Sequence, residues 1–192
     1  MKDYTDLVII IDNSGSMSSL RDDVIGGYNT LIEEQKKEGN VQVTTVFFNH
    51  QISFVHESVD IDTIKPIDGR SYAPSGCTAL LDAIGDSIAF IKNKHAKLKV
   101  VELPKNVIFS IMTDGLENSS REYSYSQIKR MIELQEKSGW VFLFQAANID
   151  VEQEAERLGV KKENAMSFEA DSEGVIKQMR CANIMINKSK TK

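Results

Sequence analysis

The sequence predicts a doubly wound α/β fold: a mostly parallel central sheet with one antiparallel edge strand and helices on both faces. Three observations lead there. Short apolar runs without polar alternation, as at residues 7–11, have the form of strands covered on both sides. Those runs alternate with stretches of helical period, and such alternation is the pattern of parallel sheets with crossover helices. One pair of strand-like runs is joined by a turn too short for a crossover, which makes that pair a hairpin.

Taken in order, residues 7–11 form the first strand. Val24, Ile25, Tyr28, Leu31 and Ile32 recur at helical spacing, and Gly39 follows as a helix stop. VQVTTVFFN and QISFVHESV are the hairpin, turning at Asn49 and His50. A polar loop, DGRSYAPSG, leads into CTALLDAIGDSIAFIK, where Leu80, Leu81, Ile84, Ile88 and Ile91 make a helical stripe and Thr78 is the expected N-cap. NVIFSIM is a buried strand ending in Thr113, Asp114 and Gly115. Ile128, Met131 and Ile132 mark the next helix, and WVFLFQAA another buried strand. A short helix at 151–158 stops at Gly159, AMSF is a weak last strand, and a closing amphipathic helix spans 174–187. The lysine-rich end, NKSKTK, reads as a frayed, solvated terminus.

At 192 residues the chain suits a single domain over 1–192, and its few prolines and glycines leave no long linker. A net charge of -5 gives no electrostatic reason for nucleic acid or an anionic membrane as partner. The first apolar run is too short for a signal peptide, and no later run approaches a spanning helix, so a cytoplasmic protein is expected. Cys77 and Cys181 lack CxxC spacing or neighbouring histidines, which indicates neither a disulfide framework nor zinc. Cys77 reads as an inert small residue, and His50, His56 and His95 as solvated or structural.

Oxygen-bearing side chains gather just past strand ends or at a helix start: Asp12, Ser14 and Ser16, then Thr78, then Asp114. In a doubly wound sheet the first and fourth strands are expected neighbours, so these loops can converge, and ligands bind in such sheets outside the carboxyl ends of the strands. Two carboxylates and three hydroxyls are hard oxygen donors that suit magnesium or manganese. Asp82, four residues after Thr78, either hydrogen-bonds the first loop from behind or serves as an acid in a first helical turn. Asn148 and Asp150 follow the fifth strand at the same sheet edge, where an Asx turn capping the next helix is the favoured reading.

The D-N-S-G-S of residues 12–16, the C-T-A-L-L-D-A-I that holds Thr78, and the T-D-G of residues 113–115 resemble, in order and spacing, the metal-ion-dependent adhesion site (MIDAS) of von Willebrand factor A (vWA) domains. The resemblance spans essentially the whole chain and is nearest to small bacterial and phage single-domain members, whose fold is Rossmann-like. It implies that Ser14, Ser16 and Thr78 meet a divalent ion directly or through water, that Asp12 and Asp114 act largely through water, and that an Asp or Glu of a partner protein completes the octahedron. All five positions are kept. The resemblance implies no enzyme, and in such families the domains work beside ring-forming ATPases, in metal-insertion complexes or in tellurite and stress resistance.

The alternative from another class is a magnesium-dependent phosphohydrolase or phosphotransferase. That chemistry calls for a second acid where Ser14 stands, and for a lysine or arginine at the transferred phosphoryl group, which the three loops lack. The turn also lacks a G-x-S-x-G elbow and a P-loop lysine.

Overall fold

The computed structural model describes residues 2–190. Six strands form one sheet: β1 (Lys2–Asp12), β2 (Val41–Phe48), β3 (Ile52–Asp60), β4 (Pro104–Thr113), β5 (Val141–Ala146) and β6 (Ala165–Ser167). Their order is β3-β2-β1-β4-β5-β6. Only β3 is antiparallel to its neighbour, and its hairpin is closed by the Asn49 N–H donating to the Gln51 carbonyl. The expected architecture is therefore present.

Five helices cover the sheet: α1 (Arg21–Lys37), α2 (Leu80–His95), α3 (Tyr125–Lys137), α4 (Val151–Leu158) and α5 (Ser172–Lys190). Strand alternation divides the core between the two faces. Val8, Ile10, Phe109, Ile111, Phe142 and Phe144 pack with the apolar stripes of α2, α3 and α4. Leu7, Ile9, Ile11, Ile108, Met112 and Leu143 pack with α1 and α5. Each fully buried aliphatic or aromatic side chain contributes roughly 1.5–3 kcal/mol, so β1 and β4, apolar on both faces, anchor the sheet.

Two boundaries differ from expectation for physical reasons. β1 begins at Lys2, because its polar first residues pair with Pro104 and Asn106 of β4 and with Val41 of β2 despite carrying no apolar signal. The closing helix runs to Lys190, so residues 187–190 are not frayed: Lys190 Nζ donates to Gln35 Oε1 at 2.7 Å. Thr191 and Lys192, the rest of that expected tail, lie outside the described residues.

This topology positions the site. The chain lays β2 and β3 to one side of β1 and places β4, β5 and β6 on the other. The order thus reverses between β1 and β4, and a crevice forms where neighbouring connections diverge to opposite faces. Asp12 ends β1 and Thr113 ends β4.

Candidate metal centre

After β1 the backbone turns at once: the Ser14 N–H donates to Asp12 Oδ1 at 2.8 Å, an Asx turn made possible by the short carboxylate. A 3-10 turn over Gly15–Leu20 follows and buries Met17 and Leu20 under the sheet edge. This fixes the direction of Ser14 and Ser16. Across the crevice, Thr113 Oγ1 donates to Asp12 Oδ2 at 2.7 Å, and Ser16 Oγ donates to Asp114 Oδ1 at 2.6 Å. Ser14 Oγ lies 3.1 Å from Ser16 Oγ. With the Ser16 proton given to Asp114, the Ser14 hydroxyl is the donor in that contact.

The segment bearing Thr78 is tied to the same turn through its backbone. Gly15 N–H donates to the Gly76 carbonyl at 3.0 Å, and Ser75 N–H to the Asn13 carbonyl at 2.8 Å. Gly76 sits at φ +75° beneath the His50 ring, where a Cβ would collide with the imidazole, so glycine is required on both counts. Thr78 itself is buried, and its N–H donates to Asn118 Oδ1 at 2.9 Å. The structure thus links Asp12, Ser14, Ser16 and Asp114 by side-chain hydrogen bonds and holds Thr78 on a loop laced to them.

Thr78 is not the cap of α2. The cap position is Ala79, which gives no side-chain bond, and the helix starts at Leu80. Asp82 does not reach the first loop either: its carboxylate accepts the N–H groups of Arg121, Glu122 and Tyr123, in the loop that follows β4. Asp150 caps α4 by accepting from the Gln153 N–H at 3.0 Å, as expected. Asn148, by contrast, is held at φ +59° and donates from Nδ2 to the Asp114 carbonyl at 3.3 Å. Cys77 is an exposed free thiol and Cys181 a half-buried one. His95 packs against Trp140 and Asp6 deep in the base of the sheet, and His56 lies 3.4 Å from the Tyr28 hydroxyl.

Three participants lie outside the five expected ligands: Thr113, which bridges the C-terminal ends of β1 and β4; Asn118, which grips Thr78; and Tyr72, whose hydroxyl donates to the Asp12 carbonyl at 2.7 Å. Only Thr113 had a signal, its place before Asp114.

The electrostatics are one-sided. Asp12 is fully buried, Asp114 nearly so, and among the described residues neither forms an ion pair. Burial pushes the Asp12 carboxyl up against the lowering hydrogen bonds from Thr113 and Ser14, and the nearby negative charge of Asp114 adds a smaller push. Burial likewise raises Asp114, against the lowering effect of the Ser16 hydroxyl. The Tyr72 phenol is raised far out of reach by burial and by both carboxylates, so it stays a donor. Ser16 is exposed and marks the open side.

A divalent cation fits this donor set: two buried carboxylates without a counter-charge, hydroxyls between them, no nitrogen or sulfur ligand, and an exit to solvent. The orphaned Asn13 Oδ1, buried beside Asp12, adds a further unmet acceptor at the same turn. Among the described residues no group of three or more His, Cys, Asp or Glu is placed to hold a metal ion.

No protein-family model and no curated protein matches the sequence. Solved structures do. Proximal thread matrix protein 1 from the mussel byssus, in a structure with a zinc-occupied MIDAS motif, aligns with TM-score 0.66 at 17% identity over 96% of this chain and 46% of its own. The PilB minor pilin from Streptococcus sanguinis aligns with TM-score 0.68 at 13% identity, over 100% of this chain and 62% of the pilin. The SpRpn10 VWA domain aligns with TM-score 0.63 at 8% identity, over 91% and 93% of the two chains. This chain therefore spans about half the length of the mussel protein and under two thirds of the pilin. At such identities the likeness is one of fold, and the fold of this chain is that of the von Willebrand factor A domains.

Proposed function

We propose that the chain is a divalent-metal-dependent protein-binding module in which Asp12, Ser14, Ser16, Thr78 and Asp114 hold Mg2+ or Mn2+ and an Asp or Glu side chain of a partner protein joins them. The single observation that carries this reading is the pair of buried carboxylates at the switch point, met by hydroxyl donors and, among the described residues, by no cationic side chain. A bound ion supplies positive charge that the protein withholds, and it leaves room for one more anionic oxygen. The chain's own residues do the rest. Thr113 and the Ser14 N–H aim the Asp12 carboxylate, Ser16 and Asn148 fix Asp114 and its backbone, and Tyr72 seals the floor of the turn.

The mussel protein, whose structure has a zinc-occupied MIDAS motif, supports a divalent ion in this fold. We propose no catalytic role. Among the described residues no lysine or arginine hydrogen-bonds a carboxylate of the site, and Arg21, at the start of α1, donates instead to the Gly69 and Tyr72 carbonyls. A transferred phosphoryl group would need such a cation. Calorimetric titration of the metal-stripped domain with Mg2+ and Mn2+ tests the site, and partner capture with and without chelator tests its use. A partner retained equally in excess chelator would defeat the reading, as would phosphoester turnover that requires Mg2+ and Asp12.

A further inference from the structure

Residues 114–124 link β4 to α3 without helix or strand, and a serine-rich loop of that length is expected to wander. Two carboxylates hold it instead. Glu117 Oε1 accepts the N–H groups of Ser119 and Ser120, each at 2.7 Å, while Oε2 accepts the Ser120 hydroxyl at 2.7 Å and the Leu81 N–H at 3.0 Å. Asp82 answers from the helix side: Oδ2 accepts the Arg121 N–H at 2.8 Å, Oδ1 accepts the Glu122 and Tyr123 N–H groups at 3.0 Å, and the Asp82 N–H donates to Ser120 Oγ at 3.1 Å.

The first N–H groups of a helix have no partner within it and are ordinarily met by the side chain just ahead. In α2 that duty falls to the distant loop, since Leu81 and Asp82 donate to Glu117 and Ser120. Thr78, the expected cap, is thereby released from capping. Its backbone is gripped on both sides by Asn118, whose Oδ1 accepts the Thr78 N–H at 2.9 Å and whose N–H donates to the Thr78 carbonyl at 3.0 Å.

From this we propose that Glu117 and Asp82 are positioning residues of the cation site. Glu117 caps α2 from the neighbouring loop and Asp82 pins that loop from the helix, and together they free the Thr78 hydroxyl for the ion and hold it at a fixed separation from Asp114. This rests on the function proposed above and adds to it the residues that make the site rigid. Neither carboxylate touches the ion; each acts through the loop. Partners that orient metal ligands typically alter affinity about 10–100-fold when removed.

The test is Mn2+ binding to the metal-stripped domain, followed by the loss of the free Mn2+ electron-spin signal, with melting in chelator measured beside it. Glu117→Gln keeps the size but has one acceptor oxygen, so it cannot serve both the Ser119 and Ser120 N–H groups and the Ser120 hydroxyl with the Leu81 N–H. The expected result is a dissociation constant raised about tenfold or more, with Asp82→Asn behaving alike and an exposed Glu152→Gln control unchanged. Should Glu117→Gln fail to fold, Ser120→Ala removes the hydroxyl that donates to Glu117 Oε2 and accepts the Asp82 N–H, and must still weaken binding. Wild-type Mn2+ affinity in a folded variant, even one that melts lower in chelator, assigns these residues to the fold alone and overturns the inference while the site itself stands. If the wild type takes up no Mn2+, the site reading fails and the inference with it.

Discussion

Asp6 and Asp12 belong to the same strand and are both buried, with 1% and 0% of their surface exposed, yet they are treated oppositely. Asp6, toward the base of β1, is met by two basic side chains from the end of α2: Lys94 Nζ at 2.7 Å and His95 Nε2 at 2.7 Å, with Gln42 taking another Lys94 proton at 2.9 Å. Asp12, at the top, receives a backbone N–H and a threonine hydroxyl, and its charged neighbour is a second carboxylate. Burying a charge is tolerable only when it is paired. The base satisfies that rule within the chain; at the top no charged partner is found among the described residues, and the proposed cation would supply it. A finished ion pair marks architecture, whereas an unfinished one marks a place for a ligand.

The largest effect that would break this contrast lies at the base. Asp6→Asn keeps the shape but leaves the half-buried Lys94 without its anion, and removing one partner of a buried pair is destabilising by up to roughly 3–5 kcal/mol. In a domain of this size that lowers the melting temperature by on the order of 10 °C. Urea unfolding measures it, and the metal response should persist, because distant sites act additively. A loss below about 1 kcal/mol would mean the pair is screened like a surface one, and the two ends would no longer differ in kind.

How much of this contrast was legible in the sequence follows from the range of each interaction. The top was readable because its residues sit in short local patterns: Asp12, Ser14 and Ser16 fall in one turn, and Asp114 closes an apolar strand. The base was not, since Asp6 meets Lys94 and His95 across 88 and 89 residues, and nothing local marks Asp6 as their partner. Thr78 shows the same limit at closer range. A threonine just ahead of a helical stripe is a good local cap, but Glu117 from another loop takes that role. The fold itself was legible because buried parallel strands are uniformly apolar, and only β1's polar beginning and the last turns of α5 escaped, both held by contacts remote in sequence.

The next effect sharpens the top. A cation that binds only the folded domain stabilises it by roughly 2.7 kcal/mol at a hundredfold excess over its dissociation constant, or about 5–10 °C in melting temperature. Asp114→Asn keeps the size and an acceptor for Ser16 while removing one of two facing charges. It should melt at least as high as chelated wild type and gain almost nothing from Mg2+ or Mn2+. The same type of substitution is thus harmful at Asp6 and harmless or helpful at Asp114 without metal. A large loss of stability in chelated Asp114→Asn would show that Asp114 is structural and that the three loops do not share an ion.

The smallest effect is a matter of pH. Both carboxyls at the top are raised above their ordinary range, chiefly by burial, so the folded state holds their protons more tightly than the unfolded chain does. Their contribution to stability is therefore complete below the unfolded value of about 3.9 and is lost as pH climbs through the raised folded values. In chelator, wild type should lose stability relative to Asp114→Asn, which lacks one of the two groups, as pH rises above about 3.9. A cation reverses the sign, because it needs both carboxylates ionised, and the stability it adds should shrink as pH falls. Unfolding free energies of the two proteins, with chelator and with Mn2+ across that range, measure both slopes. If chelated wild type instead gains on Asp114→Asn as pH rises, some positive charge already neutralises Asp114, and the top of β1 is as self-sufficient as its base.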